Sequence, residues 1–233
     1  MSSIAVVGAL RQFGETALLA VAALFAIVDP LGGAPIYLAK TADLSSEERA
    51  ALAKPVALYS LLLLAASTLI GAYVLDFFGV SIPVVQVAGG LVVCSIGWSL
   101  LNQPGSPFGK AGDSAAPARA REDPRERAFY PLTMPLTVGP GSISVAITLG
   151  ANTPQSVRRL LFTVSAHLAA ILVVAASVYL CYRNAERILK RLGPTGTNVL
   201  VRLSAFILLC IGVQICWNGV HALLSTLASR PPS

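Results

Sequence analysis

The sequence predicts an all-α integral membrane protein with six transmembrane helices, arranged as two inverted three-helix repeats whose first and fourth helices are broken at mid-membrane. Three observations carry this expectation. The 233 residues are 55% hydrophobic and only 12% charged, and their mean hydropathy of +0.72 lies far above that of a soluble domain. The apolar runs are long enough to cross a hydrocarbon core of roughly 30 Å, which takes about 20 helical residues. Runs such as "LYSLLLLAASTLIGAYVL" and "AAILVVAASVYL" are apolar on every face, which excludes the period-two alternation of a membrane β-barrel.

The expected spans are 15–39, 53–76, 80–101, 129–150, 160–182 and 197–227. The opening "MSSIAVVGAL" has no basic n-region, so the first span is expected to be a mature helix and not a cleaved signal peptide. That span is interrupted at 29–33 within "FAIVDPLGGAPIYL", and the fourth at 139–141 within "TVGPGSIS". Lipid cannot hydrogen-bond a freed backbone group, so irregular chain at that depth must be buried in protein or line a polar cavity. Between the third and fourth spans, 102–128 is rich in Pro, Gly, Ala and charge without apolar periodicity. It is expected to be a flexible cytoplasmic linker between a first repeat, 1–101, and a second, 129–233.

Orientation follows from the basic residues. Twelve Lys and Arg fall in the first, third and fifth loops and four on the other side, which places the odd loops in the cytoplasm and both termini outside. Loops facing an anionic leaflet account for the net charge of +6 without a nucleic-acid partner.

Each half runs as a broken helix, an unbroken helix and a helix with small residues. Three is odd, so the second copy enters the membrane from the opposite face, as in secondary transporters whose sites form where discontinuous helices meet. Setting "QVAGGLVVCSIG" from Gln86 beside "RLSAFILLCIGV" from Arg202 places Cys94 opposite Cys210.

The breaks suggest their own chemistry. Pro30 lacks an amide donor and Gly32 and Gly33 permit positive φ, so the amides of 32–34 and the carbonyls near Ile27 and Val28 are expected to be free. The second break offers the amides of Gly141, Ser142 and Ile143, the hydroxyls of Thr137, Ser142 and Ser144, and the positive end of a new half-helix. A helix N-terminus suits a carboxylate and free carbonyls suit an ammonium group; together they suit an amino acid. The expected substrate-binding residues are therefore Asp29, Pro30, Gly32, Gly33, Ala34, Thr137, Gly139, Gly141 and Ser142. Gln214 and Asn218, at i and i+4 on one helix face, join them as cavity-lining groups.

Asp29, the one acid deep in a span, is either a proton carrier or a capping acceptor for the amides after the break. His167 is mid-span, where it either titrates near neutrality or donates between helices, and Arg202 is placed to snorkel. The cysteines, Cys94, Cys181, Cys210 and Cys216, lie in spans with no Cys-x-x-Cys pair and are expected to be small buried hydrophobes, with no metal and no cofactor. His167 and His221 are far apart, so intramembrane hydrolysis is not expected. A channel for ions or small solutes, or a structural or signalling membrane protein, remains an alternative to a transporter.

The sequence also resembles the MarC family of integral membrane proteins, also called the neutral amino acid transporter family. The resemblance rests on "IVDPLGGAPIYLAKT", "VAGGLVV", "YPLTMPLTVGPGSISVAITL" and "IGVQICWNGV" and covers nearly the whole chain. It implies a six-helix protein of the bacterial inner membrane. For studied members it also implies transport of small neutral amino acids such as glycine and alanine, with proton coupling proposed.

Overall fold

The computed structural model describes residues 2–102, 124–151 and 157–228. Among these the chain is helical, with no strand. Its elements are α1 (Ser2–Val28), α2 (Pro30–Lys40), α3 (Ser46–Phe77), α4 (Ile82–Asn102), the short α5 (Pro124–Arg127), a wide-turned stretch Ala128–Thr137, α6 (Pro140–Ala151), α7 (Val157–Arg183) and α8 (Ala185–Ala228). The expected linker 102–128 falls outside the described residues over 103–123.

Five helical stretches are long and apolar enough to cross a membrane: Leu10–Lys40, Ser46–Phe77, Ile82–Asn102, Leu160–Arg183 and Ala185–Thr226. A sixth arises if Ala128–Thr137 and Pro140–Ala151, bent by 71°, count as one span. Large apolar side chains such as Leu18, Leu62, Leu91, Leu172 and Phe206 stand on the outer surface. That pattern is costly in water and expected where the surrounding solvent is hydrocarbon.

Local sequence explains where the helices start and bend. Ser45 and Glu48 form a capping box that opens α3, the Ser45 hydroxyl accepting from the Glu48 amide and the Ser45 amide donating to the Glu48 carboxylate. Those bonds from Ser45 hold the Glu48 carboxyl below its usual range. Tyr130 and Met134 take extended dihedrals inside the Ala128–Thr137 stretch, because each precedes a proline whose ring disfavours the helical region. In α8, Gly193 breaks the run with φ 66° ahead of Pro194. The charged segment 185–192 is thereby set apart from the apolar remainder.

The helices pair in a regular way: α1 on α7, α3 on α6 and α7, α4 on α6 and α8, and α2 on α8. The α4–α8 seam is the most extensive. A β-carbon on Gly90 would lie 2.7 Å from the Gly212 carbonyl oxygen, and one on Gly212 would lie 2.9 Å from that of Gly90. One on Gly97 would meet the Ala205 carbonyl at 2.9 Å, and one on Gly219 the Pro83 carbonyl at 2.6 Å. The helices are therefore antiparallel, and glycine lets their backbones touch, as small residues do between membrane helices. Cys94 donates to the Leu209 carbonyl (3.8 Å) and Cys216 to that of Val87 (3.4 Å). Every contact recurs after a shift of 122 positions (90 to 212, 94 to 216, 97 to 219). Cys94 thus corresponds to Cys216, not to Cys210 as the sequence comparison suggested. The shared pattern is Gly-x-x-x-Cys-x-x-Gly.

On the side of the α2–α3 and α7–α8 connections, a buried arginine and a partly buried one knit the chain together. Arg127 grips Asp43 through two nitrogens (2.7 and 3.0 Å). Arg49 donates to the carbonyls of Thr41 and Leu44 (both 3.0 Å) and pairs with Glu186 at 3.5 Å.

Candidate functional site

A cavity of about 390 Å³ lies where the two interruptions approach each other. Its walls come from the end of α1 and the start of α2 (Ile27, Asp29, Gly32, Gly33), from the second interruption (Thr137, Gly139, Gly141, Ser142), and from α4 and α8 (Val93, Ile96, Ser204, Leu208). Lys40 and Tyr130, both exposed, stand at its rim.

At the first interruption a single residue leaves the helix. Asp29 has φ 43° and ψ 63°, the one non-glycine residue with positive φ among the described residues; aspartate tolerates this region better than most side chains. Pro30 opens α2, where its missing amide costs nothing. The Asp29 amide still donates to Phe25 and the Gly33 amide to the Asp29 carbonyl, both at 2.9 Å. The Asp29 carboxylate accepts from the Gly32 amide at 3.0 Å, and the Ser204 hydroxyl stands beside it. The amides of Gly32 and Gly33, expected to be free for a ligand, are therefore already used, and both glycines sit inside the first turn of α2.

The second interruption is different. Val138 is extended, Gly139 precedes Pro140, and α6 leaves at 71° to the preceding stretch. The Ile143 amide returns to the Gly139 carbonyl (3.1 Å), and the Ser142 hydroxyl donates to the same oxygen (3.0 Å). The amides of Gly141 and Ser142 lie in the first turn of α6, where no intrahelical carbonyl can reach them. Gly139 has no side chain with which to cap them.

Two tyrosines that sequence reasoning missed support this wall. The Thr137 hydroxyl donates to the Leu132 carbonyl (2.7 Å) and lies 3.0 Å from the Tyr182 hydroxyl. Tyr182 stacks on Tyr37 at 4.4 Å, and the Tyr37 hydroxyl donates to the Arg49 carbonyl (2.7 Å). A β-carbon on Gly33 would stand 2.7 Å from the Tyr182 hydroxyl, so that glycine is spent on packing. Ser204 was also missed, although "RLSAF" puts a lone hydroxyl in an apolar helix.

Of the expected residues, Asp29, Gly32, Gly33, Thr137, Gly139, Gly141 and Ser142 line this cavity. Pro30 and Ala34 are buried but not among its walls. Gln214 and Asn218 are exposed and bond each other at 2.8 Å; Asn218 lines a second, separate cavity. His167 is buried with its Nδ1 unpartnered and lines neither cavity. Among the described residues no group of His, Cys, Asp or Glu could hold a metal.

These features define a multi-pass α-helical integral membrane protein with a largely apolar cavity, carrying a few polar groups, between two helix interruptions. The family model described as MarC family integral membrane protein matches residues 15–224, and the chain belongs to the MarC family. A UPF0056 membrane protein of Methanocaldococcus jannaschii is 31% identical over 207 residues, covering 89% of this chain and 97% of that one. One from Archaeoglobus fulgidus is 32% identical over 84% and 88% of the two chains. The UPF0056 inner membrane protein MarC of Escherichia coli (strain UTI89 / UPEC) is 31% identical over 87% and 93%. No solved structure matches.

Proposed function

We propose that this protein is a secondary transporter of small neutral amino acids of the glycine, alanine and serine class, bound in the cavity between the two interruptions, and that it is a carrier and not an enzyme. One observation carries the reading: a single cavity presents the Asp29 carboxylate on one wall and the uncapped start of α6 on another. The first suits the ammonium group of a zwitterion, by a charge-assisted bond. The second suits its carboxylate, through orphan amides and the positive end of the half-helix. A cavity of about 390 Å³ is near the small end of ligand sites, in keeping with a solute of few atoms.

The same proposal treats 1–101 and 129–233 as inverted repeats joined by a cytoplasmic linker, with both breaks near mid-membrane and both termini outside. Exchanging the halves turns the α1–α7 pairing into that of Ala128–Thr137 with α3, turns α2–α7 into α6–α3 and α2–α8 into α6–α4, and leaves α3–α7 and α4–α8 in place. The 122-residue correspondence along the α4–α8 seam supports the exchange, and the excess of basic residues in the odd loops supports the orientation. Proton coupling, which the family resemblance implies, would use Asp29 as the proton site.

The test is a thermal-shift panel of the twenty amino acids on purified protein, since a ligand that binds only the folded form raises its melting temperature, followed by glycine counterflow in proteoliposomes. Stabilisation by glycine and alanine, with saturable counterflow, is the expected result. Absence of both would overturn the proposal.

A further inference from the structure

The second cavity, about 330 Å³, is built from the same parts as the first with the halves exchanged. The first cavity uses α2 after one break, the chain ahead of the other break, the later part of α4 and the earlier part of α8. The second uses α6 (Ser144, Thr148), the chain ahead of the Asp29 break (Ala23, Ala26), the earlier part of α4 (Gln86) and the later part of α8 (Asn218). The 122-residue shift makes the exchange specific: Val93, Ile96 and Leu208 of the first cavity correspond to Ile215, Asn218 and Gln86 of the second.

The chemistry of this second cavity points to a ligand. Ser144 is 1% exposed, lines it, and its hydroxyl has no hydrogen-bond partner; a buried hydroxyl left unpaired is unfavourable, and a polar ligand would relieve it. Gln86 donates to the Thr148 hydroxyl at 3.1 Å, and the Thr148 hydroxyl donates to the Ser144 carbonyl at 2.8 Å. That leaves the Gln86 carbonyl oxygen as an acceptor. Every polar side chain lining this cavity is neutral, whereas the first carries Asp29 and Lys40.

Resting on the transporter reading above, we propose that this cavity is a second binding station on the same path, for small polar solutes without net charge, open to the membrane face opposite the one that the first cavity faces. Without an ion to grip an ammonium or carboxylate group, it holds the solute more weakly than the Asp29 site, as a place of release requires.

The experiment places single cysteines at Thr148 in the second cavity and at Ile36 in the first, and follows their modification by an impermeant methanethiosulfonate applied to either face of proteoliposomes. The unsubstituted protein supplies the background from its native thiols. Asn218→Cys, at an exposed position on the same second cavity, repeats the measurement if Thr148→Cys does not fold. The two cavities are expected to react from opposite faces. Alanine at ten times its Kd for each cavity should slow both reactions about tenfold, because about a tenth of the sites stay free. If the second-cavity cysteine reacts from the same face as Ile36→Cys, or alanine protects only Ile36→Cys, the second station is overturned and the transporter reading stands. If alanine protects neither, both fall.

Discussion

The two interruptions begin alike and end differently. Each half-helix opens on a proline, Pro30 or Pro140, and the helices are of similar length, 11 residues in α2 and 12 in α6. At the first, however, the preceding residue brings its own carboxylate, which satisfies the amide it has freed; the second is preceded by glycine and left uncapped. The first therefore runs on within one stretch, Leu10–Lys40, and presents an acceptor to the cavity, whereas the second bends by 71° and presents donors. One break is capped by the carboxyl group of the residue that makes it; the other has no side chain at the capping position.

The largest expected effect breaks the first site sterically. A β-carbon on Gly32 runs into the Asp29 carboxylate and lies 2.5 Å from the Ser204 hydroxyl, so Gly32→Ala should destabilise by about 1–3 kcal/mol, as overpacking does. A β-carbon on Gly139 meets only the Pro135 carbonyl at 3.2 Å, and Gly139→Ala should change the melting temperature little. Equal shifts would show that the two glycines do the same job. Valine at Gly32 or Gly141 is a poor probe of ligand approach, because at Gly141 the first added carbon already collides with Val93 and comes within 3.1 Å of Ile27.

Asp29→Asn keeps the capping acceptor and the left-handed backbone but removes the charge. The fold should persist while glycine binding weakens by about tenfold, the difference of about 1–2 kcal/mol between a charge-assisted and a neutral hydrogen bond. If Asp29 is the proton site, this variant retains counterflow but loses accumulation driven by a pH gradient. Unaltered glycine stabilisation would remove Asp29 from the site.

Gly139→Asp makes the second break resemble the first. A cap on α6 should change stability by only a few tenths of a kcal/mol, since glycine is itself a fair N-cap, and, by occupying the amides and repelling a carboxylate, abolish stabilisation by glycine. A folded variant that still binds glycine normally would show that the start of α6 is not the carboxylate site.

The smallest effect is a control remote from both breaks. Hydrogen bonds from Lys190 and Ser46, with the charges of Lys190 and Arg49, pull the Glu186 carboxyl from 4.5 down to about 2. Its contribution is thus present above pH 4.5 and fades as pH falls through about 2. Exposure and screening make it small. Glu186→Gln should flatten the melting temperature slightly over that acid range and leave glycine binding untouched.

Much of the site was legible because the signals were local. Asp-Pro and Gly-Pro inside apolar runs mark helix interruptions whatever packs around them, and seven of the nine residues named at the breaks do line the cavity. The cytoplasmic-linker reading of 102–128 could be followed only at its ends. Gln214 and Asn218 do share a helix face, as i and i+4 must, yet spacing cannot say which cavity a face meets; here the two bond each other, and Asn218 lines the second cavity and not the first. The repeat along α4 and α8 was in the sequence as Gly-x-x-x-Cys-x-x-Gly twice over. It was missed because pairing Cys94 with Cys210 looked as good until the helices were laid side by side.

Composition and periodicity by themselves determined that this chain is a bundle of apolar helices made for a membrane, and the Pro and Gly positions determined where two of them are interrupted. Those properties depend on residue type and on neighbours within a turn or two. Only the tertiary structure decided which freed groups remain free. The Gly32 amide is claimed by Asp29 beside it, but Ser204, which stands next to that carboxylate, and Tyr182, which closes over Gly33, arrive from helices more than a hundred residues away. A hydrogen bond is settled by the group within about 3 Å, and in a folded chain that group is set by packing and not by distance along the sequence.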